Sequence, residues 1–495
     1  MAKRLKKKIR GAFLVLAVLA VAASPVASGA TPAGDRANLR EALARAAKRP
    51  PAPSSGVSIA VAEEKGDGPA IFSVNPDSAL TIASVSKIFS TAAALAGLGR
   101  DYRFKTVLYR SGTVANGLLS GSLLVVGGGD PNLSGRFYEN DIEAIFDRWA
   151  DGLRLVGITR VSGDLILNAS FFDSRYRNPG WPPGQEARWY QAPISALSFN
   201  DNCVSVSVLP GARPGAPASV RFEPPTKFLQ AVSSATTVSA RRPARLAVAR
   251  NFGSHVVRVA GTVPFHRSGW STVIAIDDPP RYFGTVLKER LAQHGIAVDG
   301  RVIESATKPD STWATVATTT SDLLPSIAVA NKRSQSFYAE QIFKTLAAEK
   351  GKEGSWAEAV RLEKDFIGSL GLNPGGYDLH DGSGLNPNNR VAAANIVAFL
   401  RRMAVSPLAE DWVSTLAISG GGDGTLRHRF RDHSVRGRVF AKTGSLDHVN
   451  SLAGYATAAS GKSYVFAIVL NGRKVNDGTG HAFEDRVLRA LLAKG

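Results

Sequence analysis

The chain has 495 residues, too many for one ordinary core, so two or three domains are expected. Hydrophobic residues make up 44%, which excludes a mostly disordered chain. The net charge is +19, but apolar residues interrupt the densest basic runs, 241–250 and 427–438, so they read as solvated surface and not as a nucleic-acid face.

Residues 1–30 read as a secretory signal. Six basic residues (Lys3, Arg4, Lys6, Lys7, Lys8 and Arg10) precede the apolar run 11–23, and Ser28-Gly29-Ala30 fits a small-residue cleavage site. The run is too short for a comfortable membrane span. Export is therefore expected, to the periplasm or the outer face of the cytoplasmic membrane, with peripheral envelope association. Removing the segment lowers the net charge to +13. The single cysteine, Cys203, excludes an internal disulfide and reads as a small residue on one strand face. The eight histidines form no H-E-x-x-H pattern, so neither a metal nor a cofactor is expected.

Residues 35–48 carry Leu39, Leu43 and Ala46 at helical spacing, ended by Pro50-Pro51-Ala52-Pro53. Val57, Ile59 and Val61 alternate as a strand, and Lys65-Gly66-Asp67-Gly68 turns the chain towards a second strand near Ile71. After Ser84 comes an apolar helical stretch, 88–98. From about 104 to 308, short alternating runs punctuated by glycine and proline predict mostly β-structure around one helix, 282–295. Helices return at 321–330, 337–348, 356–370 and 392–403. Strands at 437–443, 451–457 and 463–470 have connections short enough for an antiparallel meander. Phe483, Val487, Leu488, Leu491 and Leu492 mark a closing amphipathic helix. The chain begins and ends with similar material, which predicts one domain split by an insertion.

Ser84-Val85-Ser86-Lys87 is an S-x-x-K motif whose spacing puts serine and lysine on one helix face. A serine hydroxyl is a poor nucleophile until a neighbour takes its proton. A lysine does this once burial or nearby positive charge lowers its pKa. The helix N-terminus adds N–H groups and a positive dipole end for a developing oxyanion. Ser305-Ala306-Thr307-Lys308 has the same spacing, but Pro309 follows and no apolar helix does, so it reads as a surface loop. Lys442-Thr443-Gly444 lies near the end of a predicted strand, whose edge can hydrogen-bond an extended peptide. Its lysine offers a fixed charge and its glycine a close approach. Ser334-Gln335-Ser336 lies between two helices and by itself reads as a helix N-cap. The glycine-rich segments 381–385 and 420–425 match no phosphate-loop pattern and read as tight turns near the site.

S-x-x-K, S-D-N and K-T-G occur together in class A β-lactamases and penicillin-binding proteins. Here all three appear in that order, with Ser336 where asparagine is expected. The chain resembles the D-alanyl-D-alanine carboxypeptidase/endopeptidases, low-molecular-mass penicillin-binding proteins with a large insertion. The resemblance runs from about residue 52 to 471. It rests on Ile82 to Lys87, Val126-Gly127-Gly128-Gly129-Asp130-Pro131, Asn331 to Glu340, Asp381-Gly382-Ser383-Gly384-Leu385, Gly422-Asp423-Gly424-Thr425-Leu426, and Lys442-Thr443-Gly444-Ser445-Leu446 with Ser451-Leu452-Ala453-Gly454-Tyr455 after it.

The resemblance implies that Ser84 is acylated by the penultimate D-alanine of a peptidoglycan stem peptide, with Lys87 as general base. Ser334 would relay a proton to the leaving amine, and Lys442 would hold the charge of that network and of the substrate carboxylate. The N–H groups of Ser84 and Ser445 would form the oxyanion hole. Thr443 would bind the terminal carboxylate, beside Gly444. Ser336 would stand where an amide usually bonds the substrate. β-Lactams would be covalent inhibitors.

The implied fold is α+β, the penicillin-binding/β-lactamase-type transpeptidase fold: an antiparallel sheet flanked by helices, with one or two inserted β-rich domains. Residues 31–103 and 317–495 would form the catalytic domain. Residues 104–200 and 268–316 would form the insertion, with 201–267 nested in it and no catalytic side chain contributed by either. Two readings compete. A serine β-lactamase would carry a glutamate in an E-x-x-x-N pattern, which is absent between Ser334 and Lys442. A non-catalytic cell-wall-binding protein would explain Ser336 but not the retention of Ser84, Lys87 and Lys442.

Overall fold

The two ends of the chain build one sheet. In the computed structural model, which describes residues 32–265 and 268–495, six antiparallel strands run in the order Phe72–Val74, Val57–Glu63, Ser463–Asn471, Val449–Thr457, Val439–Leu446, Ala417–Ile418. The expected signal, 1–30, lies outside the described residues. The central strands are buried on both faces, so their sequences are nearly continuous apolar runs. Side chains alternate between two cores, as the two-residue period of a strand requires. Ile59, Val61, Leu452, Phe466 and Ile468 face the helices Pro32–Ala46 and Asp477–Lys494. Ala60, Ala62, Ala453, Val465 and Ala467 face the helical layer.

That layer centres on the helix Lys87–Leu98, whose residues from Lys87 to Leu95 are all buried. It is apolar apart from Lys87, Ser90 and Thr91, and a helix so largely apolar is enclosed on all sides. Leu323–Lys332, Ser336–Lys350, Trp356–Ser369 and Ala393–Ala404 pack with it in one core.

The chain leaves this body along the strand Arg103–Ser111 and returns along Trp313–Asp322, which pairs antiparallel with it. These two strands join Leu123–Val126, Leu165–Asn168 and Val302–Glu304 in a five-stranded sheet. Pro279–Gln293 is the expected helix. A second, Ala144–Leu155, is one that the alternating pattern of this stretch does not announce. Its buried Ile145, Phe146, Trp149, Ala150 and Leu153 follow helical spacing. Between Cys203 and Ala275 lie two small sheets, of three and four strands. Trp270–Ala275 pairs with Cys203–Leu209, so a boundary at 267 falls between two paired strands.

Cys203 is buried and free, and burial holds its thiol well above the usual value. Most of the two basic runs is exposed, as expected of solvated surface, but each holds one exception. Arg250 is buried in a two-pronged ion pair with Asp277, and its Nε donates to the Ala275 carbonyl (3.1 Å). Arg429 is largely buried against Glu484 (2.9 Å) and Asp485. Both lock segments together, which composition cannot reveal. Among the described residues no helix is long and apolar enough to cross a membrane.

Candidate active site

Ser84 lies in the short 3-10 turn Ala83–Ser86, and Lys87 opens the central helix. Ala83 before it has φ +47°, a left-handed conformation that costs a non-glycine residue ~1–3 kcal/mol and clusters at functional sites. One hydrogen bond holds the turn, and two glycines let neighbouring segments close on it. Ser451 Oγ donates to the Ile82 carbonyl (2.7 Å), a Cβ on Gly384 would meet the Ala83 carbonyl at 1.9 Å, and one on Gly444 would meet Ser84 N at 3.0 Å. Gly384 also has φ +79°, so glycine is needed there twice over. The close approach that Gly444 permits is therefore to the serine turn itself.

Lys87 Nζ donates to Ser84 Oγ (2.8 Å), to the Ser383 carbonyl (2.6 Å) and to Ser336 Oγ (3.3 Å). The lysine is fully buried, and burial lowers its pKa to about 8 against the pull of Glu340 and Asp381. Those two acids organise the turn that supplies Ser383. Glu340 accepts from Ser383 N (2.8 Å), Gly382 N (3.2 Å) and Trp356 Nε1 (2.7 Å). Asp381 accepts from Gly384 N, Asn386 N, Asn389 Nδ2 and Trp181 Nε1 at 2.7–2.9 Å. The segment 381–385 is thus a tight turn built around buried carboxylates.

A second serine–lysine pair stands opposite. Lys442 Nζ donates to Ser334 Oγ (2.8 Å) and to the Thr443 carbonyl (2.6 Å). Burial first, then the Lys87 charge, pushes Lys442 well below the usual lysine value. Ser334 has φ +58°, so a strained backbone presents it, as one precedes Ser84. Neither Ser334 nor Ser336 caps the following helix: Gln335 holds the N-cap position, without a side-chain cap bond.

Lys442-Thr443-Gly444 lies within Val439–Leu446, paired on one side with Val449–Thr457. On the other side Ala417–Ile418 reaches only Phe440 and Ala441, so the edge beyond is open among the described residues. Thr443 Oγ1 donates to Thr425 Oγ1 (2.9 Å), and Ser445 is exposed with its Oγ on Asp477 (2.7 Å). Contacts and chain adjacency therefore bring Ser84, Lys87, Ser334, Ser336, Lys442, Thr443, Gly444 and Ser445 into one cluster. Ser305 lies in a loop of the insertion outside every named helix and strand.

Sequence motifs did not point to Asp201. It is half-buried, takes Arg136 Nη2 (2.7 Å) and Gln335 Nε2 (2.9 Å), and so braces the Ser334-Gln335-Ser336 segment from the inserted region. Arg136 also donates to the Tyr338 hydroxyl (3.2 Å). Asp201 and Gln335 are 134 positions apart, so no local pattern links them.

The D-Ala-D-Ala carboxypeptidase 3 (S13) family model matches residues 39–491. A D-alanyl-D-alanine carboxypeptidase of an Actinomadura species is 31% identical over 435 residues, covering 85% of this chain and 79% of that one. The D-alanyl-D-alanine carboxypeptidase DacB of Haemophilus influenzae is 27% identical, over 83% of this chain and 84% of its own. The crystal structure of penicillin binding protein 4 (dacB) from Haemophilus influenzae superposes with a TM-score of 0.76 at 24% identity, covering 91% of this chain and 99% of that one. Its complex with a β-lactam gives 0.74 at 23% identity, covering 92% and 99%. These superpositions give the penicillin-binding fold with additional sheet domains. The family match spans most of the described chain, and the chain belongs to the D-Ala-D-Ala carboxypeptidase 3 (S13) family and is a serine-type carboxypeptidase, a hydrolase.

Proposed function

We propose that the enzyme is exported and removes terminal D-alanine from peptidoglycan stem peptides, and cleaves D-alanyl cross-links, through an ester on Ser84. The observation that carries this is the paired geometry, Lys87 Nζ at 2.8 Å from Ser84 Oγ and Lys442 Nζ at 2.8 Å from Ser334 Oγ. Neutral Lys87 takes the Ser84 proton, and Ser84 Oγ attacks the penultimate D-alanine carbonyl. The N–H groups of Ser84 and Ser445 hold the oxyanion. Ser334 passes a proton to the leaving amine, and water then hydrolyses the ester. A substrate carboxylate at Thr443 raises the depressed pKa of Lys442 and keeps its charge. Ser336 lines the slot between Lys87 and the peptide. None of these residues comes from 104–316, in keeping with 31–103 plus 317–495 as the catalytic domain. The inserted and nested blocks position without reacting, and the signal-like residues 1–30 support export.

β-Lactams mimic the D-alanyl peptide and acylate the same serine in this reading. The β-lactam complex of the Haemophilus influenzae protein is the precedent for that fold. Mass spectrometry of the protein incubated with benzylpenicillin will show one adduct of the drug's mass, and a digest will place it on Ser84. Ser86, two residues further on, is buried with 1% exposure and cannot compete. An adduct on Ser86 or Ser305, or none at all, overturns the assignment.

A further inference from the structure

A pocket of about 510 Å³ opens directly beyond the Thr443–Thr425 contact, lined by Arg333, Asp423, Gly424, Thr425, Arg427 and His428. That volume falls within the ~300–1,000 Å³ of small-ligand sites and is more than a lone alanine fills. Its walls are fixed to the catalytic machinery. Thr425 N donates to the Lys332 carbonyl (2.9 Å), and Arg333, next to Ser334, pairs with Asp423 (2.6 Å). Its charge is one-sided. Arg427 is exposed and has no acid within ion-pair distance among the described residues. Its Nε donates to His428 Nε2 (2.9 Å). Asp423 cancels Arg333, so the pocket keeps one unmatched cation.

The pocket lies on the leaving-group side. Ser334 is the proton relay of the proposed mechanism, so the amine it protonates must depart past Ser334 and Thr443, towards Thr425. We infer that this pocket receives an anionic peptide as leaving group, the amine-bearing stem of a D-alanyl cross-link, with Arg427 binding one of its carboxylates. This rests on the Ser84 reading above and names the substrate that the leaving-group side selects. The chemistry is unchanged. The D-alanyl C–N bond breaks as the Ser84 ester forms, and the serine proton leaves on the stem amine by way of Ser334.

The test compares two substrates, a cross-linked tetrapeptide dimer and a pentapeptide monomer, cleaved by the parent, Arg427→Glu and Arg427→Lys. The readout is the dimer-to-monomer ratio of kcat/KM, which cancels any general damage to folding or acylation. We expect Arg427→Glu to lower the ratio about tenfold and Arg427→Lys to restore most of it. With a dimer whose leaving-stem carboxylates are amidated, the Arg427→Glu effect should shrink to less than about twofold. A ratio unchanged by Arg427→Glu, an equal loss with the amidated dimer, or a parent that releases D-alanine but leaves the dimer intact each overturns the inference and spares the Ser84 chemistry. Failure of that chemistry shows separately, as a parent that neither releases D-alanine nor takes up benzylpenicillin.

Discussion

Replacing Lys87 by methionine will slow acylation by benzylpenicillin by ~10²–10⁴-fold, the usual worth of a positioned general base. Methionine fills the same buried length and leaves Ser84 in its turn, so circular dichroism should match the parent. The pH profile makes the test specific. In the proposed role Lys87 works as a base only when neutral, and burial holds its pKa at about 8. At pH 7 about one molecule in ten then carries the neutral amine, against roughly one in 3,000 for an ordinary lysine. Acylation by the parent should therefore rise with pH through about 8 and level off above it. The Lys87→Met protein should lose that limb. Acylation within about tenfold of the parent, or an unchanged limb, means that another group takes the serine proton.

Ser334→Ala will lower D-alanine release at least about tenfold, because it removes a proton relay on the leaving-group side. Ser336→Asn should behave otherwise. Its hydroxyl accepts from Lys87 Nζ only at 3.3 Å, and an amide there can both donate and accept towards an extended peptide. One satisfied polar contact is worth about 1 kcal/mol, so Ser336→Asn should keep activity or raise it by up to roughly fivefold, mostly through KM. Steady-state cleavage of a D-Ala-D-Ala peptide by both variants beside the parent decides the matter. If Ser336→Asn is as damaging as Ser334→Ala, Ser336 takes part in the chemistry.

The sequence alone singled out Ser84, Lys87 and Lys442 as candidates, because their signals are local. Ser84 and Lys87 are three residues apart on one turn, Lys442-Thr443-Gly444 is contiguous, and an apolar run marks the helix Lys87–Leu98. The closing meander was legible for the same reason, since hairpin strands are neighbours in sequence. The helix Ala144–Leu155 was hidden by the alternating runs around it, although its own apolar residues follow a helical period. Only the tertiary structure decided what depends on distant pairs. Burial set the pKa of Lys87, and Glu340 and Asp381, far along the chain, partly oppose it. Asp201 braces Gln335 across 134 residues of chain. The glycine of Lys442-Thr443-Gly444 is required by a turn more than three hundred residues upstream, because a Cβ there would press on Ile82 and Ser84. Local patterns record which chemistry the chain carries, whereas desolvation, opposing charge and steric contact arise only where packing brings remote segments together.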